Sequence, residues 1–413
     1  MTTEIPREPA RCIAYVLLVA EGLPRHYLEG GLYFMKYCTR CVMPDTRPGS
    51  IFDEQGVCQA CRNYERRSTT DWNARFAELQ AMCKKYKRTD GYYDCIVPVS
   101  GGKDSHFLTY MMKERLRMNP LLVCVADPFT HTAAGTHNLR NLGEAFDCDT
   151  VVFDMSADLF RKVTKIGFEE LGEPLRFIEA AIYTVPFKYA VAFNIPLVVF
   201  GENAGFLYGT TAEDSYSAKK YIEAGHSAAA QKLGDKITDF WAQRGIDPRE
   251  MNAINLPSGE DLEKVKPEPI FMSYFVPWED ETNYAIAKRY GFKDLHHEWK
   301  REGCIEDYAQ IDSIAYLVHL WMKYPKFGFS RTTDIASRWI RNGKITREEA
   351  KRLVMEQDHK LDQRALDDFV TFMKYSHRQF WDVVEKFWNP KIFVNVDGVW
   401  QLREPVHSDV KKV

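Results

Sequence analysis

The apolar run Cys95-Ile96-Val97-Pro98-Val99 leads directly into Ser100-Gly101-Gly102-Lys103-Asp104-Ser105, and this junction constrains the fold more than any other stretch. It predicts a buried strand, a glycine turn and a helix over 103–118 that ends before Pro120. Glycines let the backbone approach a phosphate closely, and a helix N-terminus offers free N–H groups and the positive end of its dipole. Ser100 and Ser105 add hydroxyls, Lys103 offsets negative charge, and Asp104 is a hard oxygen ligand suited to Mg²⁺. The stretch reads as a nucleotide phosphate site; a plain glycine turn is the alternative.

The spelling excludes the Walker loop, which ends in Gly-Lys-Ser/Thr, and the dinucleotide Gly-x-Gly-x-x-Gly. It resembles the Ser-Gly-Gly-x-Asp-Ser signature of the PP-loop ATP pyrophosphatases. That resemblance implies cleavage of ATP to AMP and pyrophosphate, with a substrate carbonyl oxygen adenylated on the way. Ser100, Gly101, Gly102 and Ser105 would grip the pyrophosphate, with Lys103 and Asp104 in catalytic roles and Asp104 also holding Mg²⁺.

A second short pattern lies upstream. Cys38-x-x-Cys41 and Cys58-x-x-Cys61 are separated by 17 positions, counted Cys41 to Cys58. Two such knuckles match a zinc ribbon with four thiolates around one Zn²⁺, a closed and therefore structural site. Disulfides and an iron–sulfur cluster are the competing readings of the same four residues.

The chain has 413 residues, enough for two or three domains, with 45% hydrophobic and 27% charged residues. Its net charge of −3 supplies no overall basic field, so no nucleic-acid partner is expected. No apolar run approaches the about 20 residues needed to span a bilayer. The weak apolar run Cys12–Ala20 makes a poor signal peptide, and a cytoplasmic location is expected. Residues 1–34 are expected to be a disordered or non-native extension, with Met35 an alternative start.

After a helical connector at 71–87, strands at 95–99, 121–126, 150–153 and 196–200 alternate with helices at 103–118, 135–146, 157–171 and 178–193. Apolar strands separated by amphipathic helices predict a parallel sheet covered on both faces, with ligands at the carboxyl ends of its strands. That rule selects Asp127 and Asp154, and Gly201-Glu202-Asn203 after Leu197–Phe200. Asp127, Gly201, Glu202 and Asn203 join the expected ATP site; for Asp127 and Asp154 a turn or cap is the alternative.

Residues 204–270 are polar and read as a lid-like insertion containing Tyr208, Asp214, Tyr216 and Tyr221. Beyond Pro277 helices are expected at 280–290, 306–323, 330–342, 346–359 and 362–388, with a capping box at Thr346-Arg347-Glu348-Glu349. Aromatic residues such as Tyr316, Trp321, Trp339, Phe369, Phe372, Phe380, Trp381 and Trp388 along them read as core or interface. Two stretches could touch substrate: Cys304 and Glu306 at an expected helix start, and Lys326, Arg331 and Arg338, cations suited to a phosphate or carboxylate.

Three stretches together resemble the N-acetyl sugar amidotransferases, the WbpG-like family of lipopolysaccharide O-antigen synthesis. They are the run from Met35 through Pro48, Gly56-Val57-Cys58-Gln59-Ala60-Cys61, and Val99 through Ser105. The resemblance extends through Gly201-Glu202-Asn203 and the helical tail. It implies that ATP, Mg²⁺ and Zn²⁺ are the cofactors and that an acetamido group of a nucleotide-activated sugar becomes an acetamidino group. It also implies ammonia from a separate HisH-like glutaminase with a HisF-like subunit. The expected architecture is an α/β, parallel-sheet PP-loop (adenine nucleotide alpha hydrolase-like) domain over 71–276, a zinc ribbon over 35–70 and a helical C-terminal domain over 277–413. A tRNA sulfurtransferase is the runner-up, and a non-catalytic zinc-ribbon scaffold is a third reading.

Overall fold

The computed structural model describes residues 32–219 and 237–406. Tyr221 and residues 1–31 of the expected extension lie outside this range. Tyr33 lies inside it and is packed in: its hydroxyl donates to Asp45 at 2.6 Å and its N–H to the Lys391 carbonyl.

Five parallel strands form the central sheet: β1 (Cys95–Val99), β2 (Pro120–Ala126), β3 (Thr150–Asp154), β4 (Leu197–Phe200) and β5 (Glu268–Phe271), in the order β3-β2-β1-β4-β5. Side chains alternate across its two faces. Ile96 and Val198 enter one buried cluster, and Cys95, Val97, Val99, Leu197 and Val199 enter the other. Helices close both faces, so the expected α/β class with a parallel sheet holds.

The order reverses between β1 and β4, which makes their carboxyl ends the switch point where ligands of such sheets sit. The 100–105 loop leaves β1 there and Gly201-Glu202-Asn203 leaves β4.

Several elements depart from expectation. The helix after the loop is α-helical only over Lys103–Tyr110 and continues as π-type turns over Met111–Arg115. β5 is an unforeseen strand, four residues long and containing Pro269, which an edge position tolerates. Within the expected lid, Phe240, Trp241, Ile246, Met251 and Ile254 are buried in the main core, which ties that stretch to the sheet.

The expected helix over 306–323 reduces to Tyr316–Trp321 and Lys323–Phe327. Upstream, Glu306 Oε2 accepts the N–H groups of Tyr308 and Ala309 at 3.0 and 2.8 Å, which turns the backbone away from a helix. The expected 362–388 helix is two, Gln363–Met373 and His377–Val384. Lys374 ends the first in the left-handed region (φ 57°), and Ser376 caps the second. A hairpin also went unforeseen: β6 (Phe393–Val396) and β7 (Val399–Leu402) join at Asp397-Gly398, both with positive φ.

Part of the helical tail shares the sheet's core: Trp321, Phe369 and Phe380 belong to the same buried cluster as Ile96 and Val198. Trp381, by contrast, is 42% exposed.

Candidate active site

The loop is closed by its own side chains. The Ser100 N–H donates to Ser105 Oγ at 3.0 Å, and the Gly102 N–H donates to Ser100 Oγ at 3.3 Å. Both hydroxyls keep their protons as donors. Gly101 is required: its φ is +94°, and a Cβ there would lie 2.9 Å from the Leu139 nitrogen. His106 Nδ1 contacts the Gly102 carbonyl at 3.1 Å while Nε2 faces Asn141 Nδ2 at 3.0 Å. Since the amide must donate to Nε2 and the carbonyl must accept, the ring is neutral with its proton on Nδ1. Burial of His106 lowers its pKa to about 4, which keeps that arrangement at neutral pH.

Lys103, although buried, is flanked by two carboxylates, Asp104 at 2.7 Å and Asp280 at 2.9 Å. Burial alone would lower its pKa; the two carboxylates outweigh that and hold it above its usual value. Arg338 Nη1 reaches both Asp280 oxygens at 3.0 Å, and its Nη2 donates to the Tyr208 hydroxyl at 2.8 Å. Burial would raise the Asp280 pKa, but Arg338 and Lys103 hold it well below the usual range. Asp104 Oδ1 accepts from Asn283 at 2.7 Å. This chain of paired charges fixes Lys103 and leaves Asp104 half-exposed beside the loop.

Glu202 lines a cavity of about 220 Å³ together with Ser100, Asp104, Ser105 and Gly201. Burial and then the Asp104 charge push its pKa up to about 6. Asn203 does not reach the loop: its side chain caps the helix Ala204–Tyr208 by accepting the Phe206 N–H at 3.2 Å.

A larger cavity of about 910 Å³ adjoins the first, sharing Ser100, Val125 and Ile182 in its wall. Asp127 and Asp312 line it, and Ser313 donates to Asp127 at 2.9 Å. Burial raises the pKa of both acids, Asp312 to about 7, with Asp127 as its charged neighbour. Asp154, by contrast, is exposed at the end of β3 and has no place in the wall of either cavity.

The other candidates from the C-terminal region lie apart from the loop's hydrogen bonds. Glu306 is buried between Arg301 and Arg331, each 3.2 Å away. Lys326 is buried 3.4 Å from Glu173. Burial raises the Cys304 thiol to about 11, so it remains protonated. Asp280, Asn283, His106 and Asp312 escaped sequence reasoning. Asp280 opens a helix, where an acidic residue is ordinarily explained by the dipole.

The four cysteines Cys38, Cys41, Cys58 and Cys61 are free, buried thiols whose sulfurs all lie within 4.8 Å of one another. Cys38–Cys61 and Cys41–Cys58 are 3.9 and 3.7 Å apart. A tetrahedral ion with about 2.3 Å bonds to sulfur requires about 3.8 Å along each edge, so the set fits one such ion. The N–H groups of Arg40, Cys41 and Cys58 point at the Cys38 sulfur at 3.3–3.4 Å, stabilising a thiolate. At these separations none of the four is joined in a disulfide, and the set has the size of a site for one tetrahedral ion.

Residues 288–406 match the family model described as LPS biosynthesis protein WbpG-like, C-terminal domain. A stretch of 109 residues, 26% of this chain, is 31% identical to an uncharacterized protein of Methanocaldococcus jannaschii, and the match spans 39% of that protein's length. Solved structures with some likeness include an NH3-dependent NAD synthetase from Campylobacter jejuni, at 15% identity over 48% of this chain and 96% of that one, TM-score 0.27. Another is an NAD+ synthetase from Burkholderia pseudomallei, at 14% identity over 69% of this chain and 95% of that one, TM-score 0.22. No helix of the described residues is long and apolar enough to cross a membrane. The region that matches this WbpG-like C-terminal domain model supplies Arg338, the arginine that pairs with Asp280 beside the loop.

Proposed function

We propose that the protein is an ATP-dependent amidotransferase that converts an acetamido group of a nucleotide-activated sugar into an acetamidino group, in surface polysaccharide synthesis. One observation carries the reading: the region that matches a WbpG-like domain is linked, through Arg338, Asp280 and Lys103, to a Ser-Gly-Gly-Lys-Asp-Ser loop at the switch point of a parallel sheet.

Ser100, Gly101, Gly102 and Ser105 hold the pyrophosphate of ATP, and the 910 Å³ cavity beside Asp127 receives adenosine. Gly201 and Glu202 border the site, with Asn203 supporting them through its cap. Lys103 faces the phosphates as a fixed cation. Asp104 would hold Mg²⁺, which when bound offsets charge on the departing phosphates. The substrate's amide oxygen attacks the α-phosphorus and pyrophosphate leaves. Ammonia then adds to the adenylated carbon and AMP departs with the former amide oxygen. Arg338 is the best placed of the candidates for substrate contact, while Cys304, Glu306, Lys326 and Arg331 support the region around it. Zinc at Cys38, Cys41, Cys58 and Cys61 is structural. Ammonia comes from a HisH-like glutaminase through a HisF-like subunit, in the cytoplasm.

The sulfur-transfer alternative requires a reactive thiol beside ATP. Cys124 and Cys148 line the cavity, but burial raises them to about 12 and about 11, the wrong direction for a nucleophile. The decisive trial incubates the protein with ATP, ammonium and candidate acetamido nucleotide-sugars. AMP, together with the small mass decrease of replacing oxygen by NH in the sugar, is expected; AMP without a change in any acetamido sugar would sink the assignment.

A further inference from the structure

A tetrathiolate around a divalent ion carries two net negative charges, and burying them requires a cation close by. The helix Arg331–Arg341 ends against the cysteine cluster, with Ile340 packed on it. The next residue, Arg341, lines a small cavity with Ala60, Asn63 and Tyr64, all from the helix that carries Cys61. Its Nη1 is buried without a hydrogen-bond partner, and among the described residues it forms no ion pair with a carboxylate. Burial would lower its pKa and Arg338 opposes it too, but Cys41, Cys61 and Cys58, once ionised, hold it above its usual value. Arg347, just beyond, donates to the Cys41 and Cys38 carbonyls at 3.0 and 3.1 Å.

The same helix holds Arg338 three residues earlier, on Asp280 and Tyr208. Further contacts from the cysteine region converge there. The Arg47 guanidinium lies 4.4 Å from the Tyr208 ring centroid, and Asn63 donates to the Phe206 carbonyl at 2.7 Å. Gly209 packs so closely that a Cβ would lie 2.3 Å from the Ala60 nitrogen.

We infer that Arg341 is the charge-balancing cation of the four-cysteine centre, and that through it the bound ion positions Arg338 and Tyr208 at the nucleotide site. Arg341 is a positioning residue: it touches neither nucleotide nor sugar. The inference rests on the reading of the four cysteines as a zinc centre. Coupling between sites is reciprocal, so occupancy of the loop by nucleotide must tighten the hold on zinc by the same factor.

The test uses the full chain loaded with zinc, a colorimetric chelator and a non-hydrolysable ATP analogue. Arg341→Met should weaken zinc binding about tenfold or more, as loss of an outer-shell partner does, and Arg341→Lys should recover most of it. Zinc-loaded wild type should bind the analogue more tightly than zinc-depleted protein, and the analogue should in turn tighten zinc. Equal zinc affinity in wild type and folded Arg341→Met would overturn the inference. If that variant does not fold, an analogue affinity in wild type unaffected by zinc would overturn it. Wild type that binds no zinc would instead refute the reading on which it rests.

Discussion

The four-cysteine centre and the nucleotide loop are both short motifs, yet they obtain their geometry in different ways. All four sulfurs come from a span of 24 residues, and local N–H groups aim at one of them. The loop's backbone is equally local, but its charge is balanced from far along the chain: Asp280 is 177 residues from Lys103, and Asn283 is 179 residues from Asp104. A closed metal site needs only its ligands and a compensating field. A site that must hold a lysine ready for phosphates needs carboxylates arranged by tertiary structure.

Substitutions can break that contrast in order of size. Cys38→Ser removes a ligand from a segment too small to fold on its own core, and structural zinc sites contribute on the order of 10 kcal/mol. Zinc should be lost and thermal stability should fall; a stable, metal-free variant would refute a structural centre. Asp280→Asn leaves Lys103 and Arg338 short of a buried counter-charge, a change of about 3–5 kcal/mol, measurable by denaturant unfolding. Asp104→Ala should abolish AMP formation, a rise of at least about 3 kcal/mol in barrier, while zinc content stays at the wild-type level. Turnover in that variant would remove Asp104 from the reaction.

His106 gives a pH signature. Its folded pKa of about 4 lies below the unfolded 6.5, so the unfolded chain takes up the proton first as pH falls. Stability is therefore lost between pH 6.5 and about 4, by about 3 kcal/mol at the acid limit. Asp312 and Asp358, raised to about 7 and about 6, act in the opposite sense. The readout is therefore the difference between the wild-type and His106→Gln stability profiles, which should narrow steadily over that window; parallel profiles would contradict it. The smallest effect belongs to the capping box on the helix Arg347–Gln357, where Thr346→Ala should cost about 1 kcal/mol in chemical denaturation.

What could be read from the sequence follows the same division. Strands β1 to β4 were visible because each is an apolar run bounded by turn residues, and the loop and the cysteine knuckles because their chemistry sits within a few positions. β5 was hidden by its length and its proline. The stretch after Gly303 was misread because periodicity cannot show that the Glu306 carboxylate captures two backbone N–H groups and two arginines. Arg338 was selected for its charge and spacing, but its partner Asp280 was indistinguishable from an ordinary helix-start acid. The Asp397-Gly398 turn was a legible hairpin signal.

The central claim is that the loop drives adenylation of a carbonyl oxygen on the sugar. It is tested most directly by supplying an acetamido nucleotide-sugar carrying heavy oxygen in its amide, with ATP and ammonium, and following the label by mass spectrometry. The account predicts that the label appears in the phosphate of AMP, in step with amidine formation. Unlabelled AMP, or label retained on the sugar while AMP accumulates, would contradict it.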